Sequence, residues 1–214
     1  MNAKTNDTRQ HILDVGYELI VNRGFTSVGL SELLKKAAVP KGSFYHYFKS
    51  KEQFGEAMIQ DYFTKYFERL NARFTNTDLN GVGSHSDRFT NTDLNGYQRL
   101  MSYFEEMVKV EDDVCNANKC LLVKLSAEVS DLSEPMRIAL RQGADKTIQA
   151  MADCIDVGIQ DGSIPNGDSA LLARQIYYLW NGASLLNKLY QDQAALTQSL
   201  TYTQHLLQNT RTCP

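Results

Sequence analysis

Lys41, Gly42, Ser43, Tyr45, His46, Tyr47 and Lys51 gather two cations, a hydroxyl, a glycine and three rigid polar rings into about three helical turns. That set suits contact with a nucleic-acid backbone. Amides at a helix start together with a lysine attract phosphate, and a glycine lets the main chain come close to it. Tyrosine and histidine edges reach either phosphate or the polar edges of bases. Upstream, Thr26 and Ser27 add two further hydroxyls, while Phe44 and Phe48, four residues apart, are left to anchor the segment.

The flanking pattern supplies the elements that would position these groups. Leu30, Leu33, Leu34 and Ala37 recur at three- and four-residue intervals and place one helical face inward, with Ser31, Glu32, Lys35 and Lys36 outward. Ala37 and Ala38 are small enough for a sharp turn, Val39 closes over the core, and Pro40 suits a helix start, so a second helix is predicted from about residue 40. Ser50 and Gln53 have capping-box spacing and restart a helix after Lys49, with Lys51 in its first turn. Two short helices around a tight turn make a helix-turn-helix, a motif whose second helix enters a DNA groove. An ordinary three-helix module would need its aromatic residues only for packing and leaves the hydroxyls and lysines without a role. For Tyr45 and His46, base contact, phosphate contact and support of the fold all stay open; Tyr47 can equally be wedged against the fold.

The segment VPKGSFYHYFKSKEQF resembles the recognition-helix signature of the TetR family of bacterial transcriptional repressors. The similarity spans residues 8 to 60 and includes Ile12, Leu13, Leu19, Ile20 and the Arg23-Gly24-Phe25 corner. Val28 and Gly29 stand where that family usually has a Thr or Ser pair, so Thr26 or Ser27 is left to take the phosphate clamp. The resemblance implies an all-α fold: a helix-turn-helix DNA-binding domain over residues 1–55, and a helical ligand and dimerisation domain over residues 56–214. It also implies a homodimer on a palindromic double-stranded operator, released by a small-molecule inducer or an electrophile. A dimer agrees with the DNA side, because one short recognition helix reads few base pairs.

Composition fits this picture. At 214 residues with 43% hydrophobic residues the chain can bury a core. No apolar run approaches the roughly 18 to 20 residues of a membrane span, and the polar start MNAKTNDTRQ is no signal peptide, so the reading is cytoplasmic. The net charge of −3 is uneven, +3 over residues 1 to 55 and −6 beyond, which puts the basic end at the DNA. His11, His46, His85 and His205 are scattered, and phosphate-loop, zinc-protease and serine-elbow motifs are absent. Neither an enzyme nor a cofactor or metal site is predicted.

Beyond residue 55 the pattern stays helical, with helices predicted over 51–72, 97–110, about 119–130, 134–161, 169–190 and about 193–209. Residues 97–110 turn Leu100, Tyr103, Phe104, Met107 and Val108 inward. In TetR-like proteins the last two long helices pair across a two-fold axis, which implies that residues 169–209 form the dimer face. Trp180, Leu185, Leu186 and Leu189 suit that interface or the chain's own core, and both uses stay open. RFTNTDLNG occurs at residues 73–81 and again at 88–96, and its Gly, Asn, Asp and Thr content predicts a loop that buries little.

The cysteines are Cys115, Cys120, Cys154 and Cys213, without zinc-site spacing. Around Cys120 the segment NKCLLVKLSAEVSDLSEPMR is similar to that of TetR repressors that control N-ethylmaleimide reductase and respond to electrophiles and oxidants. The resemblance implies that Cys120 is the sensor and that Lys188 matches a lysine of that branch. Lys119 beside Cys120 and Lys124 one turn on would favour a thiolate at a helix start. A buried structural cysteine is the alternative. A rival inducer site is a non-covalent pocket lined by Tyr103, Phe104, Met107, Tyr177 and Trp180.

Overall fold

The computed structural model describes residues 3–75, 94–111, 114–129 and 133–209. Most of the RFTNTDLNG duplication, His85 and Cys213 lie outside the described residues. The elements run α1 Ala3–Arg23, α2 Leu30–Ala37, α3 Lys41–Tyr47, α4 Lys51–Thr75, α5 Gly96–Val108, β1 Val110–Glu111, β2 Val114–Cys115, α6 Leu121–Val129, α7 Glu134–Gln160, α8 Ser169–Tyr190 and α9 Ala194–Gln208. The fold is all-α apart from β1 and β2, an antiparallel ribbon pairing Val110 with Cys115 that the helical periodicity did not announce. Among the described residues no helix is long and apolar enough to cross a membrane.

Contacts divide the chain into two compact units, residues 1–66 with 120–144, and residues 67–119 with 145–214. The first unit is thus larger than residues 1–55, because α6 and the first part of α7 belong to it.

In that unit the core is built from Ile12, Leu13, Ile20, Phe25, Val28, Leu33, Phe44, Phe48, Phe54, Met58 and Ile59, all nearly fully buried. Phe44, Phe48 and Phe54 form a closed triangle of rings with centroids 5.2 to 5.7 Å apart, which pins α3 to α4. Gly16 lets α1 cross this triangle, since a Cβ there would collide with the Phe54 ring. The turn between α2 and α3 is a Schellman cap: Val39 N–H reaches Leu34 O at 3.1 Å and Ala38 N–H reaches Lys35 O at 3.3 Å. Ala38 adopts φ 52°, the left-handed conformation that this cap demands and that glycine holds more easily. The His11 ring lies 3.0 Å from Ala37 O through Nε2, so that nitrogen carries the proton and satisfies a carbonyl at the end of α2.

The second unit packs α5, α8 and α9 around Leu100, Met101, Phe104, Ile176, Trp180, Leu196 and Leu207. The Phe104 and Trp180 rings are stacked, 4.6 Å between centroids. Asp168 caps α8 by accepting Leu171 N–H at 2.9 Å. Asn95 and Gln98 close a reciprocal capping box at the start of α5. Gly96 sits so close to the Gly158 main chain that no side chain fits between them.

Candidate nucleic-acid interface

α3 is short, and the ring triangle beneath it fixes which side faces solvent. Phe44 is buried, whereas Lys41, Gly42, Tyr45 and His46 are exposed, with Tyr45 at 47%. Ser43 and Tyr47 are half-buried. Lys41 Nζ stands 5.8 Å over the Tyr45 ring one turn on, a contact that holds both groups on the outer face. Gly42 has open space where a Cβ would be, so no described residue crowds its approach to another molecule. Tyr47 packs edge-on against His46 at 4.9 Å and lines a shallow recess with Arg9, Phe48 and Gln53. It is therefore held in place rather than free-standing.

Two candidates are placed differently from expectation. Lys51 does not extend outward to phosphate: its ammonium donates to Phe25 O at 2.8 Å and lies 4.5 Å over the Phe25 ring. Burial holds the Lys51 pKa below the usual lysine value, and the nearby carboxylates of Glu52 and Glu128 pull it partly back. The charge is used to fasten the α1–α2 corner to α4. Thr26 is exposed, yet its N–H and hydroxyl both go to Glu128 Oε2, at 2.9 and 2.7 Å. Ser27 is exposed. Gly29 occupies the N-cap of α2 with no side-chain cap.

The helix after the turn starts as its sequence indicated. Ser50 Oγ accepts Gln53 N–H at 3.1 Å, while Gln53 Oε1 takes the N–H of Lys49 at 2.6 Å, one residue earlier than a reciprocal box would place it.

Among the cysteines with described side chains, Cys115 and Cys154 are buried and Cys120 is partly exposed. Burial pushes the Cys154 thiol up to about 12. Cys120 O accepts Lys124 N–H at 3.3 Å, which makes Cys120 the residue that opens α6. Lys124 does not turn back to the thiol: its ammonium donates to Asn22 O at 3.3 Å. On α8 the Lys188 Nζ is buried. Of the pocket candidates, Phe104 and Trp180 are stacked and buried, and Tyr103, Met107 and Tyr177 are half-buried.

Comparison with known proteins gives the family. The model for bacterial regulatory proteins of the tetR family matches residues 12–58, and the model for the tetracyclin repressor-like C-terminal domain matches residues 96–203. The chain belongs to the TetR family. It is 38% identical over 209 residues to the HTH-type transcriptional repressor NemR of Escherichia coli K12, covering 97% of this chain and 98% of the relative. It is 28% identical over 194 residues to the repressor DhaR of Mycobacterium sp. strain GP1, covering 90% and 88%. The crystal structure of the reduced form of E. coli NemR superposes with a TM-score of 0.80 at 37% identity, covering 97% and 100%. As a TetR-family repressor, the protein has its helix-turn-helix in α2 and α3, and the relatives at both levels are transcriptional regulators.

Sequence reasoning missed Glu128 and Lys124 as partners of the α1–α2 corner. Their i,i+4 spacing on one face of α6 was visible, but their partners lie 102 residues away and carry no local pattern.

Proposed function

We propose that this TetR-family repressor acts in the cytoplasm as a homodimer on a near-palindromic operator, and that modification of Cys120 by an electrophile or oxidant releases it. Cys120 carries the proposal: among the described cysteines it is the partly exposed one, and it stands immediately before the first residue of α6, where the amide dipoles favour an anion. The relative NemR is known in a form described as reduced, which fits a redox-responsive reading. Lys41, Gly42, Ser43, Tyr45, His46 and Tyr47 make the DNA face, with Thr26 and Ser27 beside it.

Dimerisation rests on α8. Leu171, Tyr178 and Leu185 recur at seven-residue steps and remain 50%, 63% and 57% exposed, with Leu189 and Tyr190 exposed beyond them. An apolar stripe of this spacing is a helix-pairing seam. Trp180, by contrast, is committed to the chain's own core.

Peptide-resolved alkylation tests the sensor. Brief N-ethylmaleimide treatment should label Cys120 well before Cys115 and Cys154, whose thiols are buried; earlier labelling of either would move the sensor. On the DNA side, Lys41→Ala should weaken binding to operator and random duplex alike, whereas Tyr45→Ala or His46→Ala should erode discrimination between them. The alternative is a non-covalent ligand among Tyr103, Phe104, Met107, Tyr177 and Trp180, which would release the operator reversibly and without labelling any cysteine.

A further inference from the structure

α6 carries Lys124 and Glu128 one turn apart, and both side chains end on the corner that joins α1 to α2. Lys124 donates to Asn22 O, and Glu128 Oε2 accepts two hydrogen bonds from Thr26, one from the main-chain N–H and one from the hydroxyl. Gly24 makes room for this grip. It has φ +89°, and a Cβ at that position would strike the Glu128 carboxylate.

A main-chain N–H and a hydroxyl converging on one anionic oxygen is also how a protein holds a DNA phosphate. Thr26 lies three residues ahead of Gly29, the uncapped start of α2, on the exposed side of the helix-turn-helix. Carboxylate and phosphate oxygens cannot use the same two donors together, and like charge would drive them apart. We propose that Glu128 is an autoinhibitory latch, standing where a backbone phosphate of the operator would sit, so that tight DNA binding requires Glu128 to surrender Thr26. α6 begins directly after Cys120, so displacement of its first turn would shift the balance between latch and phosphate. Only that last link rests on the sensor reading; the latch itself rests on the DNA face.

The test needs no electrophile. Duplex binding is measured against salt concentration for the full-length wild type, Glu128→Ala and Glu128→Gln. Glu128→Ala should bind operator and random duplex several-fold more tightly at low salt, and the slope of log affinity against log salt should steepen by about 0.9, one extra phosphate contact. Glu128→Gln, which keeps the shape and loses the charge, should fall between the two, and it carries the test alone if the alanine variant does not fold. Adding Thr26→Val to either variant should remove most of the gain. Equal or weaker binding with an unchanged slope would overturn the latch and make Glu128 a brace for the corner. A wild-type protein without salt-dependent duplex binding would instead remove the DNA-face reading, and the latch with it.

Discussion

Trp180 on α8 donates its indole N–H to Thr203 Oγ1 on α9 at 2.9 Å, and the Thr203 hydroxyl in turn donates to Ser199 O at 2.7 Å. Both side chains are buried. A relay of this kind satisfies every polar atom it contains, and cutting it strands one. Thr203→Val keeps the volume but leaves the indole N–H without an acceptor, which costs about 1–3 kcal/mol. Thermal or denaturant unfolding should show that loss. Unaltered stability would mean that the hydrogen bond contributes nothing net.

Ala38 closes the turn of the helix-turn-helix with φ 52° and ψ 37°. A Cβ in this conformation costs about 1–2 kcal/mol, of which glycine's extra freedom in the unfolded chain returns about 0.5–1, so Ala38→Gly should raise stability by about 0.5–1 kcal/mol. For a domain of this size the melting temperature should rise by roughly 2 °C. A fall would show that the Ala38 methyl contributes more by packing than its backbone costs.

Gly29 opens α2 without a side-chain cap and has empty space where a Cβ would stand. Gly29→Ser should therefore fit, cap the helix and add a few tenths of a kcal/mol, about 1 °C in melting temperature. The added hydroxyl also restores a donor beside the DNA face, so operator affinity should rise with it. Stability that rises while affinity falls would place this corner away from the phosphates.

The duplicated RFTNTDLNG segment divides its work. The first copy ends α4 with Arg73, Phe74 and Thr75; the second leads into α5, with Asn95 capping the helix and Gly96 as its first residue. One guanidinium ties both ends, Arg99 donating to Leu94 O at 2.8 Å and to Phe74 O at 3.2 Å. Deleting residues 73–87 regenerates the same residues at both ends from a single copy. Stability should change by no more than about 1 kcal/mol, because loop closure depends weakly on length, and DNA affinity should hold. A large loss of either would mean that the intervening residues pack or signal.

Local pattern carried much of the architecture. The Phe44–Phe48 spacing, the Ser50–Gln53 cap and the inward face of residues 97–110 all express themselves within a turn or two of the chain, where periodicity and capping chemistry can be read. What escaped is long-range. Lys51 turns inward because Phe25 offers it a carbonyl and a ring, and Thr26 is taken by a carboxylate from α6; neither pairing leaves a mark on its own neighbourhood. The β1–β2 ribbon is too short for alternation to register. For the DNA face, spacing separated the anchors Phe44 and Phe48 from the outward Lys41, Tyr45 and His46, but it could not tell that Lys51 belongs to the corner.

The sensor claim is tested most directly by operator binding before and after N-ethylmaleimide, with each cysteine replaced in turn. The wild type and the Cys115→Ser, Cys154→Ser and Cys213→Ser variants should all leave the operator after treatment. Cys120→Ser should bind as well as the wild type beforehand and stay bound afterwards, since a hydroxyl is far less nucleophilic than a thiolate. Release of Cys120→Ser as complete as that of the wild type would contradict the account and remove Cys120 as the switch.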